Sequence, residues 1–139
     1  MTMWQDLSPY LSGSGPTATV LAPNNTPTSI LSSAAGGSVQ LEWSFTGSAL
    51  NLLGDIAFTA TLYADPYGPP PVVVVGATVV GPASTIDPNE QIYYANIAIP
   101  PNSIPVNDYA FTVVITATEN GLTLPIAGFV EVPFVAVNP

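Results

Sequence analysis

Asp87 and Glu90, in the stretch Asp87-Pro-Asn-Glu90, are the two side chains whose type and spacing come nearest to chemistry. A pair of carboxylates suffices for glycoside hydrolysis, and a pair of aspartates for aspartic proteolysis. A polar turn capped by its own Asp explains the same residues more simply. Neither Asp-Thr-Gly nor Asp-Ser-Gly occurs in the chain. The rest of the catalytic repertoire is missing, because the sequence has no Lys, Arg, His or Cys. No imidazole can shuttle a proton or ligate zinc. No guanidinium can clamp a phosphate, no amine can form a Schiff base, and no thiolate can attack. A serine nucleophile would have no base beside it. The sequence therefore predicts a protein that is not an enzyme and uses no cofactor.

The remaining ionisable chemistry is acidic. Asp6, Glu42, Asp55, Asp65, Asp87, Glu90, Asp108, Glu119 and Glu131 give a net charge of −9 and form no run. Asp65, Asp87, Glu90 and Asp108, with Asn107, fall in predicted turns, where carboxylates and backbone carbonyls can ligate calcium. They show no EF-hand spacing, and solvated turn residues are the plainer reading. Charged residues make up 6% of the chain, against about 25% in ordinary globular domains. Hydrophobic residues make up 47%, ample for a core, so the chain should fold rather than stay disordered. Nucleic acid is excluded as a partner, since a negative field with no Lys or Arg repels phosphates. Anionic membrane surfaces are disfavoured for the same reason. Two habitats suit such a chain. In strong acid, protonating the carboxylates leaves it nearly neutral rather than strongly positive. Outside a cell, a trypsin-like protease finds nothing to cut after.

Several short motifs carry less. Met1-Thr-Met-Trp-Gln-Asp6 has neither the basic nor the apolar region of a signal peptide, and no apolar stretch is long enough for a membrane span. Asn24-Asn25-Thr26 is a glycosylation sequon in a predicted loop. Leu124-Pro-Ile-Ala-Gly128 is loosely like a sortase signal but lacks its threonine, and reads as strand. Lysine-dependent isopeptide cross-links are excluded. Trp4, Tyr10, Tyr63, Tyr67 and Tyr93 are candidates for exposed aromatics that stack on a sugar or anchor a partner.

These residues must be positioned by strands. Val39, Leu41, Trp43 and Phe45 alternate with polar residues over 38–46, between Gly36-Gly37 and Gly47. Ile56, Phe58, Ala60 and Leu62 alternate likewise over 55–64. Further strands are predicted at 17–22, 72–80, 91–99, 108–118 and 122–137. Either face of 91–99 can be the buried one. Gly76 suggests a bulge or bend, as does Pro133, which also fits an edge strand. Asn120-Gly121 predicts a hairpin turn. Residues 1–16 read as an N-terminal extension. Trp4, Leu7, Tyr10 and Leu11 lie at nearly helical spacing, before a flexible Ser12-Gly13-Ser14-Gly15 hinge. Seven to nine short strands with Pro/Gly turns and almost no helix signal predict an all-β Greek-key sandwich over 17–139.

Asn107-Asp-Tyr109-Ala-Phe111-Thr-Val113 resembles the penultimate strand of immunoglobulin-like sandwiches. The resemblance implies that Tyr109 makes a corner by hydrogen-bonding back to the preceding connection. It extends over 17–139, without the cysteine pair of antibody domains and with Trp43 on an early strand.

The functional expectation is a structural subunit that assembles with itself into an extracellular or surface filament, sheath or coat. Trp4, Leu7, Tyr10, Leu11, Val20 and Leu21 would make the assembly contacts, with Trp43 and Tyr109 structural. A weakly charged surface and edges without protecting lysines favour pairing between copies. The N-terminal segment or strand 17–22 would add to a neighbour's sheet. The alternative is an immunoglobulin-like binding module that recognises a protein or glycan through its loops.

Overall fold

Alternation of apolar and polar residues dominates the chain, and its described residues form nine strands and one short 3-10 helix. The computed structural model describes residues 2–4 and 10–139. The strands are β1 (Thr2–Trp4), β2 (Ser12–Leu21), β3 (Ile30–Ser32), β4 (Gly37–Thr46), β5 (Ile56–Pro66), β6 (Val73–Val80), β7 (Gln91–Ile99), β8 (Asn107–Glu119) and β9 (Leu122–Asn138). The helix, Leu50–Asp55, sits between β4 and β5. One sheet has the order β1-β9-β8-β5-β6, with β3 also pairing β9; the other has the order β2-β4-β7. The two sheets close on one core, so the predicted all-β sandwich is the observed architecture.

The inward faces are those the alternation marks. Val39, Leu41, Trp43 and Phe45 of β4 are buried, as are Ile56, Phe58, Ala60 and Leu62 of β5. The open question at β7 resolves to Tyr93, Ala95, Ile97 and Ile99 facing in. On β8 the inward set is Tyr109, Phe111, Val113, Ile115 and Ala117. Trp43, Phe45, Phe58 and Tyr93 form an aromatic cluster in which Phe45 and Phe58 stack with centroids 5.6 Å apart.

Prolines and turn residues fall where the ladder can spare a donor. Tyr109 and Phe111 pair with Val135 and Val132, so Ala110 opposes both Pro133 and Phe134. Pro133 thus sits in a bulge, where no ladder hydrogen bond is lost. Pro125 lies in a second register break, between the pairs Thr116–Ala127 and Thr118–Thr123. Gly76 flanks a third, since Leu62 pairs Gly76 while Tyr63 pairs Val74, leaving Val75 extra. Asn120 and Gly121 both have positive φ, 51° and 82°, and close the β8–β9 hairpin.

Two expectations need correction, and two elements were not expected. The domain does not begin at residue 17: β2 starts at Ser12 and pairs β4 from there, so the Ser-Gly stretch is strand, not hinge. Trp4 is in an extended strand rather than on a helical turn, because its backbone pairs with Gly128 of β9. β3 and the helix have no counterpart in the sequence reading. β3 runs parallel to β9, with Ile30, Leu31 and Ser32 opposite Ala136, Val137 and Asn138.

The predicted corner is present. The Tyr109 hydroxyl donates to the Pro105 carbonyl at 2.6 Å, tying the start of β8 to the connection before it. Burial raises the pKa of this phenol.

Candidate functional site

The most constructed feature of the surface is a slot occupied by Trp4. Its ring packs against Phe45 at 4.9 Å between centroids, and against Phe58 and Trp43 at 6.4 and 6.5 Å. Two glycines form its walls. A Cβ on Gly13 of β2 would stand 2.6 Å from the indole, and one on Gly128 of β9 equally close. No side chain but hydrogen fits at either position while Trp4 is in place. The slot therefore joins the two sheets at one margin, where β1 lies along β9 and against β2. The Trp4 Nε1 is buried there with no hydrogen-bond partner among the described residues. The lone glycine of β9, Gly128, is the available sequence signal; Gly13 reads in the sequence as part of a hinge.

Of the expected assembly residues, Trp4 is half-buried in this slot and Leu11 packs on the core. Leu7 lies outside the described residues. Tyr10 is exposed. Val20 and Leu21 are 4% and 7% exposed and belong to the molecule's own core, so they are not available as contacts. The strand that carries them already pairs β4 from Thr17 to Leu21.

Among the aromatic candidates, Tyr67 is exposed and stacks on Phe134 with centroids 6.5 Å apart. Its hydroxyl donates to the Pro133 carbonyl. Tyr63 is half-buried on the outer face of β5. Tyr93 is not a surface residue: it is 3% exposed, stacks on Trp43 at 5.7 Å, and its hydroxyl has no partner. Burial pushes its pKa up to about 12. The alternation of β7 turns Tyr93 inward and leaves Tyr94 outside.

The carboxylates are dispersed. Asp87 Oδ1 accepts from the amides of Asn89 at 2.8 Å and Glu90 at 3.4 Å, making the capped turn. Glu90 Oε2 accepts instead from Ser44 Oγ at 3.2 Å. Asp65 and Asp108 stand at the joined ends of β5 and β8, where Asp65 pairs Ala110. No group of three or more His, Cys, Asp or Glu side chains is gathered to hold a metal ion among the described residues. Asn24 of the sequon is exposed and its side chain caps the turn through the Thr26 amide at 3.2 Å. No helix among the described residues is long and apolar enough to cross a membrane.

The chain matches no protein-family model and no curated protein.

Proposed function

We propose that this protein is a non-catalytic structural subunit that assembles with copies of itself at a cell surface or outside the cell, by passing its N-terminal strand from one copy to the next. The observation that carries the reading is the fit of Trp4 between Gly13 and Gly128. A three-residue strand holds one large aromatic in a slot cut to its shape. The contacts of such a strand are the same whether it comes from its own chain or from a neighbour. Exchange therefore changes little in contact energy and is governed by protein concentration. The outer surface of β6 supports it further. β6 carries exposed Val74 and Val79 and stands at the margin of its sheet, without a lysine to discourage a second strand.

The sandwich itself fits an immunoglobulin-like reading. The layers β2-β4-β7 and β9-β8-β5-β6, with the Tyr109 corner, support that reading.

Sedimentation velocity over a range of concentrations, with negative-stain imaging, tests the proposal. The full chain should form larger species as concentration rises. Removal of residues 1–9 should leave a folded monomer, since β2 begins only at Ser12. A full chain that stays monomeric throughout, or a truncated one that assembles equally well, would overturn it.

A further inference from the structure

A pocket of about 470 Å³ opens at the end of the sandwich beside the 3-10 helix. That is within the usual size range for a small-molecule site. Its lining is largely apolar, including Leu52, Leu53, Leu124 and Ile126. Three other lining residues share a different property. Asp55 and Glu119 bring carboxylates, and Tyr10 brings an aromatic ring. Asp55 ends the 3-10 helix and Glu119 ends β8, and the pairing of Ile56 with Glu119 brings both of these ends to the pocket. Tyr10 is 65% exposed, yet its backbone is fixed. Its carbonyl accepts from the Ala49 amide at 3.0 Å, and a Cβ on Gly47 would come within 2.4 Å of that same oxygen. Gly47 has a φ of 129°, which only glycine adopts freely.

We infer that this pocket binds a small organic cation, a protonated amine carried on a short apolar body. The apolar floor takes the body. The Asp55 and Glu119 carboxylates and the face of Tyr10 take the ammonium, by charge and by cation–π attraction. Charge complementarity favours such a cation over a second copy of this chain, which has no cationic side chain to offer. Neutral apolar molecules would gain only the floor, and anions would be repelled by a protein of net charge −9. The inference is independent of assembly, because no residue of the Trp4 slot lines the pocket.

Three ligands of one chain length separate these terms: n-hexylamine, 1-hexanol and hexanoate. Each is titrated into the full-length protein and followed by the methyl NMR signals of Leu52, Leu124 and Ile126. Hexylamine should shift them saturably. Hexanol should bind roughly 3- to 30-fold more weakly, the range set by two partly exposed ion pairs, and hexanoate more weakly still. In the double variant Asp55→Asn/Glu119→Gln, hexylamine and hexanol should bind alike. Equal binding of amine and alcohol to the unmodified protein would overturn the inference. So would amine-induced shifts that spread over the other acidic loops without saturating at these methyls. The comparison in the unmodified protein decides the matter even where the double variant does not fold.

Discussion

Tyr93 and Tyr109 are both buried tyrosines at inward positions of strands, yet their hydroxyls have opposite consequences. Tyr109 donates to Pro105, so Tyr109→Phe leaves a carbonyl unpaired and should cost about 1–2 kcal/mol in chemical denaturation. Tyr93 has no partner for its hydroxyl, so Tyr93→Phe removes a buried, unsatisfied group and should leave stability at neutral pH unchanged or raised by up to about 1 kcal/mol. The same burial sets an alkaline limit. The folded-state pKa of Tyr93 lies above its unfolded value of 10.0, near 12, so the unfolded chain releases its proton first. Stability from this group is whole below pH 10 and falls by roughly 1.4 kcal/mol per pH unit between 10 and 12. Melting temperatures across that range should drop less steeply for Tyr93→Phe; an identical slope would mean that burial of Tyr93 does not govern the alkaline limb. Only the corner was legible in the sequence, and only through the resemblance of the Asn107–Val113 stretch to a known strand; its hydroxyl reaches back four residues. Tyr93 was not, since both faces of 91–99 carry apolar side chains and its orientation depends on what β4 places opposite.

At the scale of elements, strands were legible where one face is buried and the other wet. The clean alternation of β4, β5 and β8 is of this kind, and so is the hairpin turn at Asn120-Gly121. β1 and β3 were not. Each is three residues long and owes its existence to the edge of β9, more than a hundred positions away in the chain for both. No local pattern encodes such a pairing. The slot at the β1–β9 edge offers a direct test. Gly128→Ala places a methyl where the Trp4 ring stands, so β1 should leave β9 while the rest of the sandwich remains. Amide exchange at residues 2–4 should rise sharply, with a loss of about 2–3 kcal/mol from the partly buried indole. If strand exchange joins the subunits, the same variant should also abolish the larger species in sedimentation. Trp4→Ala should match it, and retained assembly in both would remove the slot from the mechanism.

For the whole molecule, the lack of bases decides how it responds to acid. Most proteins gain positive charge as carboxylates are protonated and then unfold through self-repulsion. Here protonation carries the net charge from −9 towards zero, and no salt bridge with a basic side chain exists to be lost. The melting temperature at pH 3 should be at least as high as at pH 7. Association should increase near the sequence pI of about 4.1, as light scattering would show. A melting temperature that collapses at pH 3 would mean that ionised carboxylates hold the fold by hydrogen bonds such as those of Asp87 and Glu90.

The closeness of Trp4 to Trp43 has one more consequence. They are the two indoles of the chain, and their ring centres are 6.5 Å apart. At that separation their excited states interact, so the seated N-terminal strand gives the protein a paired-chromophore signature in near-ultraviolet circular dichroism and emission. When the strand withdraws, the pair splits into one hydrated emitter and one dry one. If strand exchange joins the subunits, a neighbour's strand in the seat would restore the pair from two different chains. The molecule thus carries an optical record of whether the seat is filled or empty, with no label attached.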